Sequence, residues 1–320
     1  MARYIRNTVI LAKIEATEGS DPTPTGAANA ILVSDVTITP LQANNVDRAL
    51  VRGYFGGSEQ LVGTANTMCE FTVELAGSGT ANTPAAWGPL LQGCGFAQTV
   101  GASWVAYDPI STFGANSSVT IYYHLDGNLY KMVGARGTFT VAMGIGERPV
   151  MKFTFTGKDA GVTAASNATP TLTAWQKPVV ITDANTADVS LGVSYASGAN
   201  SGGTAYTSKG LELDIGNTVA FTPLLGAENV DISAREVTGK VSLDLTAADV
   251  ATFMTAVKAN TTTTLGLTHG TAAGNIIVIY APVVQRINPG IEDLNGRLLH
   301  TYDLRLCPSV GNDEIKIVTK

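Results

Sequence analysis

The sequence predicts a mainly β protein built from one domain written twice, each copy carrying a single helix. Three observations carry that prediction. Residues 36–47, VTITPLQANNVD, recur as residues 219–231, VAFTPLLGAENVD. Apolar and polar residues alternate with period two along most of the chain, the pattern of half-buried strands. Only two stretches have helical spacing. Internal repetition is settled first because it changes how every other motif is read.

In the repeat, Val36, Thr39, Pro40, Leu41, Asn45, Val46 and Asp47 answer to Val219, Thr222, Pro223, Leu224, Asn229, Val230 and Asp231. The register slips by one residue before Asn45 and Asn229, as an old duplication does in a loop. Pro40, Leu41, Val46 and Asp47 are therefore expected to be structural equivalents of Pro223, Leu224, Val230 and Asp231. Strands are expected over Val119–Tyr123, Gly137–Met143, Met151–Thr156, Gly210–Ile215, Lys240–Leu245 and His300–Leu306, all rich in Thr, Val and aromatic residues. Asp126-Gly127-Asn128 between two such runs predicts a tight hairpin, since Gly supplies the positive φ.

The better helix follows Thr246, with Asp249 in the capping-box position and Val250, Phe253, Met254 and Val257 on one stripe. Its first-half counterpart is Thr83–Gly95, where Pro84 suits the first helical position but Pro89 sits too deep for a regular helix. That helix is expected to be short or kinked. The polar, small-residue stretch Gly157–Pro170 predicts a linker, and residues 196–204, ASGANSGGT, a loop tip. The expected division is a first domain over residues 1–157, a linker over 158–174 and a second domain over 175–320. Within the first domain, residues 1–30 form an N-terminal arm and 53–66 a Gly-rich excursion. The matching strands of the second half are expected to meet through Thr238-Gly239. An excursion carrying Tyr54, Phe55 and Leu61 in a Gly/Ser frame is expected to dock on something, because exposed aromatics are unfavourable in water.

At 320 residues the length prior is about two domains. Hydrophobic residues make up 45% and charged residues 14%, against a usual ~25% charged. Such a chain buries large cores but lacks the charge that keeps a free monomer soluble. That surface suits a protein living against copies of itself, or equally an ordinary β-rich protein with a neutral skin. The net charge of −6 and the absence of a Lys/Arg cluster argue against phosphate binding by counterion release. Cys69, Cys94 and Cys307 are odd in number and far apart, as expected of free thiols in a reducing compartment. The apolar stretch Thr8–Ile14 is short and broken by Lys13, so no signal peptide is expected, and no run approaches the ~20 residues of a membrane helix.

No catalytic constellation is expected. His124, His269 and His300 have no acidic or Cys partner at ligand spacing. There is no GxSxG, GKS/T or HExxH motif. Gly144-Ile145-Gly146 precedes a strand, so it reads as a turn and not as a dinucleotide fingerprint. Glu292-Asp293 and Asp313-Glu314 read as solvated turns. Trp87, Trp104 and Trp175 are too dispersed for a sugar platform. The sequons at Asn116, Asn167 and Asn260 are expected by chance in a Thr-rich chain.

Residues 10–41 (ILAKIEATEGSDPTPTGAANAILVSDVTITPL), 76–79 (AGSG) and 87–96 (WGPLLQGCGF) resemble the major tail tube proteins of long-tailed, non-contractile, siphovirus-type bacteriophages. The second half is similar to the same group through ELDIGNTV (212–219) and AREVTGKVSLDL (234–245). The resemblance implies two tandem tail-tube-type β-sandwich or barrel domains, each with a flanking helix. It implies a virion structural protein without cofactor or metal, polymerising as stacked rings that conduct the DNA genome during ejection. The family's usual ring of six tube domains would need three chains of this duplicated kind. The resemblance further implies partners: other copies of the chain, a tape-measure protein and double-stranded DNA in the lumen without sequence-specific contacts, and tail terminator and tail-tip proteins at the ends. Localisation would be the virion tail, assembled in the host bacterial cytoplasm, away from any membrane. Tyr54, Phe55, Glu59, Gln60 and Leu61 are the expected inter-ring stacking loop, and Glu15–Ala30 is expected to become ordered only in the stacked tube. The competing expectations are a phage adhesin or carbohydrate-binding β-sandwich, and a head–tail joining protein that closes into a single ring.

Overall fold

A computed structural model of the chain describes residues 3–320; Met1 and Ala2, the start of the expected arm, lie outside the described residues. Strand β1 (Thr8–Ile14) is followed by one helical turn, α1 (Gly26–Asn29), then β2 (Ala30–Ile31), β3 (Ser34–Val46) and β4 (Leu61–Glu74). Helix α2 (Gly88–Gly93) leads to β5 (Phe96–Val100), β6 (Val105–Pro109), β7 (Val119–Leu125), β8 (Asn128–Gly144) and β9 (Val150–Ala164). Short strands follow: β10 (Val189–Leu191), β11 (Ser194–Ala196), β12 (Ala199–Ser201) and β13 (Thr204–Tyr206). Then come β14 (Ser208–Asp214), β15 (Asn217–Leu224), β16 (Ala227–Arg235) and β17 (Thr238–Leu243). Helix α3 (Ala247–Lys258) precedes β18 (Thr262–His269), β19 (Ile277–Leu294), β20 (Arg297–Cys307) and β21 (Lys316–Thr319).

Strand accounts for 53% of the chain and helix for 7%, in large antiparallel sheets with no closed barrel among the described residues. The period-two segments lie on strands except at two ends, where Ile215, Asp244 and Leu245 fall just beyond β14 and β17. Asp126 and Gly127 form the β7–β8 turn with φ of 40° and 95°, and Leu125 faces Asn128 across it. Helix α3 starts where the capping box predicts, with the Asp249 amide donating to Thr246 Oγ1 at 3.2 Å. Helix α2 is short: Pro89 stands in its first turn, and Pro84 lies outside it.

The same pairing order occurs in both halves. Strands run β1–β7–β8–β9–β4–β3 in the first and β10–β18–β19–β20–β17–β14 in the second. Strand β3 pairs with β4 as β14 pairs with β17, and both first strands carry a bulge beside a positive-φ residue. These residues are Asp35 (φ 51°) and Gly210 (φ 146°). The halves are welded together. Strand β14 pairs with the end of β8, Gly210 to Asp214 facing Gly144 to Thr140, and β21 lies between β19 and β6. One apolar cluster runs through both halves. At its centre Phe71, Phe139, Phe153 and Phe155 stack, with ring centroids 5.2 to 5.9 Å apart.

Several expectations are corrected. The segment Glu15–Ala30, expected to order only in the tube, is fastened by contacts within the subunit itself. The buried Glu15 carboxylate accepts from Ser118 Oγ (2.7 Å), Thr120 Oγ1 (2.6 Å) and the amides of Gly19 and Gly134 (2.7 Å each). The Gly-rich excursion is shifted from 53–66, since Leu61 to Asn66 pair with Val46 to Gln42, leaving residues 47–60 as the loop. The second-half strands do not meet at Thr238-Gly239. Leu225-Gly226 makes the β15–β16 turn, and Gly239 sits inside β17, where a Cβ would stand 2.6 Å from the Glu212 carbonyl oxygen. Glycine there permits close strand approach. The backbone pairing of β9 continues through Gly157 to Ala164, so the polar stretch begins as strand. Residues 196–204 hold the β11–β12 turn and extend to β13.

Candidate assembly surface

Two hairpin arms and two hairpin tips define the ends of the molecule. Strand β4 runs from Leu61, paired with Val46 at the root of the loop, to Glu74, paired with Val150 beside the β8–β9 turn. In the second half, Thr238 of β17 adjoins the β15–β16 arm, while Leu243 pairs with His300 towards the β19–β20 tip. Both arms therefore project from one pole and both tips from the other.

The arm poles are apolar. Leu50, Val51, Tyr54 and Phe55 in the loop after β3, and Leu224 and Leu225 at the second arm's tip, are exposed. Arg48 and Arg52 pair with Glu59, and Gln60 donates to Asp47, across the root of the loop. Leu41, Val46 and Leu61 are also exposed. At the opposite pole Met143, Ile145, Ile181, Leu267, Leu294 and Leu299 line a largely apolar cleft of about 250 Å³. An apolar tip at one end and an apolar cleft at the other suit head-to-tail contact between copies.

The eight repeat residues separate under strand pairing. Pro40, Leu41 and Val46 lie on β3 with Asp47 just beyond, and Pro223 and Leu224 lie on β15, but Val230 and Asp231 fall on β16. By pairing partners, Thr39 opposite Met68 matches Asp214 opposite Thr238. The recurring letters thus mark both arms without sharing a register.

Sequence reading missed Arg136. Its buried guanidinium donates to the Ser117 carbonyl (3.3 Å), the Val230 carbonyl and Glu18 Oε2 (2.7 Å), and stands 3.4 Å from Asp231 Oδ1. It ties the N-terminal arm, β8 and the second-half arm into one corner. No local motif announces a group whose partners lie 19 to 118 residues away.

The structure offers little for chemistry. Among the described residues no group of three or more His, Cys, Asp or Glu is placed to hold a metal ion. Burial pushes the Cys69 thiol up to about 12 and raises Cys94 as well, which suppresses thiolate reactivity. Trp87 is buried with its indole N–H donating to the Ala76 carbonyl at 2.8 Å. Trp175 donates to the Ala30 carbonyl at 3.0 Å. Among the described residues no helix is long and apolar enough to cross a membrane.

Two comparisons with known proteins bear on this surface. The family model described as "Phage tail tube protein" matches residues 5–304. A search of curated proteins returns no match.

Proposed function

The chain belongs to the phage tail tube protein family, and from that premise we propose that three copies close into a ring of six tube domains. It is a structural protein of the virion tail, and membership of the family implies self-assembly into a tube. In the proposed arrangement each half of the chain supplies one tube domain, and rings stack into a tube that conducts the genome during ejection.

The observation that carries the proposal is the β8–β14 seam. One half's sheet is joined edge to edge with the other's inside a single chain. The corresponding outer edges, on β3 and on the end of β19, have no strand beside them among the described residues. An open edge is an aggregation hazard, and closing a ring removes it. Tyr54 and Phe55 at the loop tip are proposed to enter the cleft beside Ile145 and Leu294 of the next ring, a heterologous contact that generates a filament. Glu59, Gln60 and Leu61 form the root of that loop and lie nearer the ring seam.

Double-stranded DNA carries about one charge per 1.7 Å, so a basic bore would hold it. A net charge of −6 favours passage of the genome without sequence-specific contacts. The proposed partners are a tape-measure protein in the lumen and terminator and tip proteins at the ends, with assembly in the host cytoplasm.

Negative-stain microscopy of the concentrated protein tests the reading. Striated tubes are expected; isolated rings would favour a joining role, and dispersed particles at every concentration would overturn the proposal. Deleting residues 50–57 should leave circular dichroism and melting unchanged and abolish tubes while sparing rings. Normal tubes from that deletion would remove the loop from the stacking contact.

A further inference from the structure

The seam inside the chain specifies the seam between chains, residue by residue. In the first half, a row of paired, buried residues crosses the sheet as Val73, Met151, Val141 and Leu213, on β4, β9, β8 and β14. The matching row in the second half runs Leu243, His300 and Ile291, on β17, β20 and β19, and there it stops. The effect on burial is direct: Val141 is 1% exposed and Ile291 is 73% exposed. Nothing in the type of side chain accounts for the difference. Val141 lies in the apolar core with Leu213 beside it, whereas Ile291 has no strand on its outer side among the described residues.

The strand equivalent to β14 is β3. Leu213 sits opposite Gly239 of β17, and Ile38 sits opposite Cys69 of β4. Ile38 is half-buried and its edge away from β4 is unpaired among the described residues. Strand β3 continues into its arm as β14 continues into the β15–β16 arm. Inside the chain, that second arm covers a corner of the first half: Val230 is 0% exposed and its carbonyl takes Arg136. The corresponding position on the first arm is Leu61, paired with Val46 as Val230 is with Phe221; it is 53% exposed.

A second buried guanidinium marks where that arm would go. Arg136 is the residue after the last β7 pair, Val119 with Ala135, and Arg286 is the residue after the last β18 pair, Thr262 with Gln285. Arg286 is only 7% exposed and lies 4.0 Å over the Phe253 ring. Unlike Arg136, it has no carboxylate within ion-pair distance among the described residues, and its Nε is buried without a hydrogen-bond partner. Burial lowers its pKa, so the site disfavours the charge it holds. A buried guanidinium nitrogen without a hydrogen-bond partner is unfavourable and calls for an acceptor to complete it.

We propose that β3 of a second copy of this chain pairs with Gly290–Leu294 of β19, Ile38 facing Ile291, and that the β3–β4 arm then runs past Arg286 with the Leu61 carbonyl as its acceptor. Arg286 is the positioning residue of this joint. The proposal rests on the ring reading above and adds to it the register, the partner segment and the anchoring group. The contact is heterologous, since the donor edge and the acceptor edge are different surfaces of the same chain.

Ile291→Asp disables the acceptor and Leu61→Asp the donor, both at exposed sites that the folded monomer tolerates. Each variant alone should sediment as a monomer with wild-type circular dichroism. An equimolar mixture should form a species of two chains and stop there, because one competent donor and one competent acceptor remain. Arg286→Gln should raise the concentration needed for tube growth at least tenfold, and Arg136→Gln should not reproduce this effect without also lowering the melting temperature. Wild-type tubes together with normal assembly of Ile291→Asp, or with a mixture that stays monomeric, would overturn the joint while leaving the ring reading intact. A wild-type chain that stays monomeric at every concentration would overturn both.

Discussion

Replacing Arg136 with Met should loosen the seam between the halves more than any surface change. The side chain is buried and serves the carbonyls of Ser117 and Val230, both on buried residues, as well as Glu18 and Asp231. Each buried carbonyl deprived of a donor costs about 1–3 kcal/mol. Glu18 and Asp231 retain contact with water, so together they add less than about 1 kcal/mol. Methionine recovers part of the lost apolar packing. The net expectation is a loss of about 3–5 kcal/mol, in the range seen when one partner leaves a buried ionic network. At ~2–4 °C per kcal/mol for chains somewhat shorter than this one, the melting temperature should fall by roughly 6–20 °C. Scanning calorimetry measures the fall, and hydrogen exchange should localise it, with the amides of Leu211–Asp214 exchanging faster than those of β9. A melting temperature within about 2 °C of wild type would refute the assignment of Arg136 as the corner that holds the second arm.

Three further outcomes follow from the geometry. Glu15→Gln places an amide donor among four donors, and should make residues 16–25 cleavable by a protease that leaves the wild-type segment intact; equal resistance would show that Glu15 does not hold the arm. Phe153→Ala, at the centre of the stacked phenylalanines, should cost about 3–5 kcal/mol in urea unfolding, and a cost below about 1 kcal/mol would place the core elsewhere. His269 is buried, its Nε2 donating to the Val179 carbonyl at 3.0 Å and its Nδ1 accepting from Thr186 at 2.8 Å, so it is held neutral and burial lowers its pKa from the usual 6.5. The unfolded chain then takes up the proton first, so stability is full above about pH 6.5 and declines as the pH falls below it. His269→Gln should flatten the decline in melting temperature between pH 7 and pH 5, and an unchanged slope would assign the loss to other groups.

What the sequence disclosed was local. The α3 cap is set by Thr246 and Asp249, three residues apart, and the β7–β8 turn by Asp126-Gly127. Both depend on backbone geometry within a few residues, which letters record directly. The period-two strands were legible for the same reason. What was hidden depends on distant partners. Glu15 finds Ser118, Thr120 and Gly134, and a lone Glu in a Pro/Gly/Thr-rich stretch gives no sign of that pocket. Gly239 looked like a turn because glycine serves both turns and tight strand contacts, and only the neighbouring Glu212 carbonyl decides between them. The repeated TP-L and NVD letters fall on the two arms, yet strand pairing, which sets equivalence, is offset from them.

Joining β8 to β14 within one polypeptide changes how a closed assembly responds to dilution. A contact between tethered segments forms at an effective concentration in the millimolar range or above, whatever the concentration of chains. In a ring of three such chains, half the seams are therefore insensitive to dilution and half are not. Thinning the solution would release whole chains and never single halves, and closure would scale with the third power of chain concentration where six separate domains would need the sixth. Gene duplication, on this view, lowers the number of molecules that must meet to close a ring, so that rings persist at subunit levels where separate half-length proteins would remain dispersed.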